Sequence, residues 1–125
     1  NRNRSERSAS NRRESTMTDL EEYAKHLGPV DAEGLLAIPS HMVGGIVRYV
    51  LHGIKAGGFM DAVIRNDLFK AVGKADDVNR EYLHAYCNFF YNHAPSNCFG
   101  SQDKRDAWIK AGGLIGMRAA NDGTV

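Results

Sequence analysis

Residues 78–101 read VNREYLHAYCNFFYNHAPSNCFGS, and the kind of protein this is turns on whether they form a chemical cluster or a helix followed by a corner. Val78, Tyr82, Leu83, Tyr86, Phe89 and Phe90 recur at helical spacing and make one broad apolar face. With Asp76 or Asp77 as N-cap, they predict a core helix running to about Asn92. Pro95 ends it, because the proline ring disfavours helical backbone in the residue before it. Past that point Asn92 or Asn97 is expected to close the helix in a left-handed conformation, Phe99 to plug the corner, and Gly100 to lead into Ser101 as the next N-cap. The same stretch holds His84, Cys87, His93 and Cys98. These are zinc-type ligands, but the helix would have to end and reverse within a few residues to gather all of them into one tetrahedron. A thiolate and base pair of Cys98 and His93 needs contact and an electropositive setting, which adjacency in sequence does not supply. The corner accounts for more of the residues, and neither a metal nor a cofactor is expected.

The flanking segments are also helical. In PSHMVGGIVRYVLHG, residues 39–53, Ser40 reads as N-cap, and Met42, Val43, Ile46, Val47, Tyr49 and Val50 form a stripe that stops at Gly53. Gly44 and Gly45 inside this helix cost up to about 2 kcal/mol relative to alanine. They read as a place where another helix comes close, with a ligand lying on bare backbone as the alternative. GFMDAVIRNDLFKAVGK, residues 58–74, predicts one helix from Phe59 to Val72 with Met60, Val63, Ile64, Leu68, Ala71 and Val72 inward. Asp67 falls near the middle of that face, where an ionised carboxylate is costly unless paired. It is therefore expected to be a buried anchor that caps a neighbouring helix or pairs with Arg48 or Arg65, with a binding or acid/base role as the alternative. A short helix over Thr18–Leu27, capped by Thr18 and stopped by Gly28 and Pro29, precedes a loop to about Ile38. Another, capped by Ser101 and ending at Gly112, presents Ala107, Trp108 and Ile109 inward. The expected architecture is an all-α, compact single-domain bundle of about four to five short helices over residues 17–112, with a loose Gly-rich tail at 113–125.

Composition sets the function classes. A chain of 125 residues supports one modest core, and no apolar run approaches the ~20 residues of a membrane span. Residues 1–16 lack the apolar segment of a secretory signal, so Cys87 and Cys98 are expected to stay reduced in a cytoplasm. Net charge is +1, but residues 1–16 hold five Arg and two Glu, or +3, which leaves 1 − 3 = −2 for the remainder. Ala9 is the only apolar residue in that arm, which is expected to be disordered. It is either a flexible basic arm that touches nucleic acid or an acidic partner, or an extension ahead of a start at Met17. The body offers no run of Lys or Arg, so nucleic-acid binding by the folded part is not expected. No phosphate loop, dinucleotide fingerprint, nucleophile elbow or H-E-x-x-H helix occurs.

Several segments together resemble a group of small proteins of tailed phages and prophages. They are IPSHMVGGIVRYVLHGIKAGGFMDAVIRNDLFKAVGKADDVN, YNHAPSNCFGS and WIKAGG. The likeness covers about Ile38 to Gly112. It rests on the Ile-Pro start, a Tyr-x-x-x-Gly-Ile turn, the Phe-x-x-Ala-Val-x-x-Asn-Asp-Leu helix, the Ala-Asp-Asp-x-Asn cap and the Ala-Pro-x-x-Cys-Phe-Gly-Ser corner. The resemblance implies a phage accessory protein in a bacterial cytoplasm, in a setting where such proteins bind host machinery or defence systems. It carries over no catalytic residue. The expected function is thus non-enzymatic docking to a host or phage protein, or to another copy of the chain. Arg48, His52, Asn92, His93 and Asn97 are the candidate contacts, with Asp67 as anchor. The rival reading is a nucleotide-binding or hydrolytic module where Gly44, Gly45, Asp67 and the 92–98 corner converge. A third is nucleic-acid binding through the arm.

Overall fold

The computed structural model describes the backbone of residues 4–122 and the side chains of residues 16–122. Along these residues nine α-helices follow one another: α1 (Arg4–Leu27), α2 (Pro29–Glu33), α3 (Ser40–His52), α4 (Gly58–Ile64), α5 (Leu68–Lys74), α6 (Asp77–Glu81), α7 (Leu83–His93), α8 (Gln102–Ala111) and α9 (Gly113–Asp122). Two 3-10 turns, Gly34–Ala37 and Ser96–Cys98, complete the order, and there is no strand among the described residues. The all-α class is as expected, but the count is nine rather than four to five.

Each extra helix has a local cause. The helix expected over Phe59–Val72 breaks because Asn66 adopts a left-handed conformation, φ 63°. The amide of Asn66 donates to the carbonyl of Val63, and that of Asp67 to Ala62, the paired bonds of a Schellman stop. Asp67 then caps α5 by accepting from the Lys70 amide at 3.1 Å. The expected helix over 77–92 is hitched at Tyr82, between α6 and α7, where Asn79 is buried and accepts from the Tyr86 hydroxyl at 2.6 Å. Pro29 opens α2 inside the expected loop.

Both chain ends also differ from expectation. α1 reaches back to Arg4, so Thr18 lies inside a helix instead of capping one. Nothing between Arg4 and Leu27 is a glycine or proline, so no helix breaker intervenes before Gly28. The expectation of a disordered arm therefore meets helical backbone from Arg4 onward, and residues 1–3 lie outside the described residues. Of the tail expected to be loose, residues 113–122 form α9, which packs along α3, and residues 123–125 lie outside the described residues.

The core is centred on α3, which buries Val43, Ile46, Val47, Tyr49, Val50 and Leu51. α1 lies against it through the buried Tyr23, whose ring is 5.8 Å from that of Phe89 and whose hydroxyl donates to the carbonyl of His93 at 2.5 Å. Gly44 meets the Asp19 side chain of α1: a Cβ added at this glycine would stand 3.2 Å from that carboxylate. The Arg48 guanidinium of α3 itself is nearer still, at 3.0 Å, so side chains rather than the backbone of another helix fill the space at Gly44, whereas Gly45 faces open space. Trp108 of α8 donates its indole N–H to the carbonyls of Tyr49 and Val50, both at 3.1 Å. Such bonds satisfy polar groups that burial would otherwise leave unpaired.

Candidate functional site

The residues singled out in the sequence do not gather in one place. Asp67 is not a buried anchor: it caps α5 at the surface with its side chain 40 % exposed, 4.0 Å from Arg65. The break at Asn66 turned it away from the core. Arg48 lines a shallow recess with His41, Met42 and Gly45, and beside it the Asp19 carboxyl is raised by burial against the opposing pull of Arg48. His52 pairs with Glu22 at 2.8 Å and His93 with Asp31 at 3.3 Å, each tying together two helices. Asn92 bonds within its own helix to Asn88, and Asn97 reaches the sulfur of Met117 at 3.7 Å. Gly45 and Asp67 border different recesses, and neither recess includes the 92–98 corner.

That corner differs from expectation in one detail. Neither Asn92 nor Asn97 is left-handed; α7 ends on extended Ala94, and the positive φ falls at Gly100, whose amide donates to Ile64 at 2.8 Å. The Phe99 ring lies 5.8 Å from that of Phe90, tilted by 46°, and Ser101 caps α8 by accepting from the Lys104 amide. Cys98 is buried, with its carbonyl accepting from the Tyr49 hydroxyl at 2.6 Å. Burial pushes its thiol up to about 12 from an ordinary 9.0, only partly opposed by its own backbone hydrogen bond and Lys104. No group of three or more His, Cys, Asp or Glu able to hold a metal occurs among the described residues.

Two consequences are measurable. Iodoacetamide at pH 8 should label one thiol per folded chain, the exposed Cys87, and reach Cys98 only in denaturant. Rapid labelling of both would contradict the burial. Burial also raises the Tyr86 hydroxyl to about 12 from 10.0. Both groups have folded pKa values above their unfolded ones, so their contribution to stability is whole below about pH 9 and drains away as pH rises towards 12. Circular dichroism should show unfolding within that alkaline window.

The chemically strongest feature is one that sequence reading missed. A cleft of about 430 Å³ is lined by Lys55, Gly58, Asp61, Arg65, Lys70, Lys74, Gln102 and Arg105. These come from the α3–α4 loop, α4, its exit, α5 and α8. At its floor Asp61 is 4 % exposed, and it is held by Arg65 at 3.1 Å and Arg105 at 3.2 Å. Asp61 Oδ1 and Arg105 Nε are both buried, and their 3.2 Å contact is an ion pair without a hydrogen bond. Arg105 also pairs with Asp106 at 2.9 Å. Five cations thus face three carboxylates, Asp61, Asp67 and Asp106, for a local balance of 5 − 3 = +2. The excess sits on Lys55, Lys70 and Lys74, none of which has an ion-pair partner among the described residues. Lys70 and Lys74 stand one helical turn apart, an arrangement that is unfavourable without a counter-charge.

A second recess, of about 400 Å³, is mainly apolar and lies beside the corner, between Val63, Asn66, His84, Cys87, Phe90, Tyr91 and Phe99. Comparison with protein-family models, with curated proteins and with solved structures finds no match to the chain. No helix among the described residues is long and apolar enough to cross a membrane.

Proposed function

We propose that the chain is a non-enzymatic binding protein of the phage accessory type, working in a bacterial cytoplasm, and that it docks an anionic macromolecular partner in the cleft between α4, α5 and α8. The observation that carries this reading is the set of three lysines without an ion-pair partner among the described residues, Lys55, Lys70 and Lys74, converging on one recess in a body whose residues beyond 16 sum to −2. A local basic recess on a mildly acidic surface favours complementary partners and repels unlike ones. Its size suits a carboxylate cluster or a phosphoryl group, whereas tracking a duplex requires a longer basic stripe. The non-enzymatic part of the reading draws support from Cys98, whose thiol is held protonated, and from Asp67, which is spent as a cap.

The test is fluorescence anisotropy with a labelled glutamate decapeptide at 50 mM salt. Wild type should bind, with affinity falling steeply as salt rises. The exposed double variant Lys70→Glu/Lys74→Glu should lose at least tenfold. Absence of binding by folded wild type, or a variant that binds equally well, would overturn the proposal.

A further inference from the structure

α5 displays two surfaces. Stepping about 100° per residue from Leu68 puts Val72 at about 40°, Phe69 at about 100°, Gly73 at about 140°, Lys70 at about 200° and Lys74 at about 240°. Ala71, buried, is the side chain that holds the helix to the body. The apolar arc is open to solvent: Leu68 is 61 %, Phe69 91 % and Val72 41 % exposed. Both Leu68 and Val72 belong to the apolar face of the unbroken sequence pattern, and the stop at Asn66 is what turned them outward. Leu68 borders a small dent with Leu83 and Cys87, and Cys87 also lines the larger apolar recess. On the opposite side, Lys70 and Lys74 line the basic cleft. Between the two arcs lies Gly73, where an added Cβ meets nothing within 4 Å.

We infer that the partner is a protein segment carrying both carboxylates and a large apolar side chain, laid across α5 at Gly73 so that the acids enter the cleft and the apolar group covers Phe69. This rests on the cleft being the docking site and adds the partner's chemistry. A flat anionic membrane meets only one side of a helix, whereas these arcs lie nearly opposite each other. A crossing segment meets both. Half the circumference of a helix about 10 Å across is about 16 Å, the reach of roughly five extended residues. The bare backbone at Gly73 lets that segment pass close to the helix.

Two labelled peptides of equal length and charge separate the outcomes: one all-acidic, the other with a central Leu-Phe pair between acidic blocks. Wild type should bind the Leu-Phe peptide at least tenfold more tightly. Phe69→Ser and Gly73→Gln should each erase that advantage while leaving binding of the all-acidic peptide within twofold. Gly73 lacks a positive φ and faces open space, so its variant should fold. Equal affinity for the two peptides, or an advantage that survives both substitutions, overturns the inference and leaves the cleft reading standing. Failure of wild type to bind either peptide overturns both. Phe69-dependent binding to phosphatidylglycerol vesicles that exceeds binding to the Leu-Phe peptide also overturns it, in favour of a membrane surface.

Discussion

Gly113→Ala should lower the stability of the chain by about 2–5 kcal/mol, a large part of the ~5–15 kcal/mol available to a typical domain. Two independent penalties meet at this residue. Its φ of 72° is left-handed, which costs an L-residue about 1–2 kcal/mol. A Cβ there would also run into the Gly53 amide and come within 2.6 Å of the backbone of His52 and Leu51. Backbone has little room to yield, and overpacking of this kind costs about 1–3 kcal/mol or more. The contact is reciprocal, since a Cβ on Gly53 would lie 2.6 Å from the Gly113 amide. The end of α3 and the start of α9 thus cross glycine to glycine. That crossing is what returns the C-terminal helix onto the core. The measurement is urea unfolding followed by circular dichroism, with Gly73→Ala as the control. Gly73 is helical and unobstructed, so the control should gain up to about 1 kcal/mol. A loss below about 1 kcal/mol at Gly113 would show that the crossing is not a tight constraint.

The same glycines show why only part of the fold was legible. Gly53 and Gly112 read correctly as helix ends, since a glycine after an apolar stripe is a local signal. Asp76 and Ser101 likewise cap as expected, accepting from Asn79 and Lys104. Gly113 and Gly116 read as looseness, because the partner that makes Gly113 necessary is Gly53, far away in the chain, and leaves no trace in local composition. Asp67 does cap a helix start and meet Arg65 as expected, but the break at Asn66 and the exposure of Asp67 were missed, for a different reason. The two residues suit a stop followed by a cap, but the apolar pattern runs straight through them, and periodicity outweighed turn chemistry. The cleft was the least legible feature. Lys55, Arg65, Lys70, Lys74 and Arg105 are scattered along the chain from the α3–α4 loop to α8, so no sequence window shows a basic cluster. One signal was present at Asp61, which sits one helical turn before Arg65 on the buried side of α4.

Asp61→Ala should have the second large effect, and it should act in opposite directions on stability and on binding. Removing the carboxylate leaves the Arg65 and Arg105 side chains, 14 % and 16 % exposed, facing one another without their shared counter-charge. Breaking a buried pair in this way costs about 3–5 kcal/mol. Here Asp67 and Asp106 retain part of the compensation, which places the loss nearer ~2–4 kcal/mol. The same change raises the local charge of the cleft from +2 to +3, since 5 − 2 = 3. The folded fraction should therefore bind the glutamate peptide more tightly than wild type does, and ligand should restore much of the lost stability. At about a hundred times the dissociation constant, that restoration is about 2.7 kcal/mol. Thermal melts with and without peptide, at fixed salt, read both quantities from one sample. If Asp61 instead holds the cleft open by positioning the two arginines, the variant will lose affinity together with stability. An increase in affinity alongside the stability loss identifies the carboxylate as a structural counter-ion. Its burial would then let five cations share one recess while weakening the anion affinity proposed for that recess.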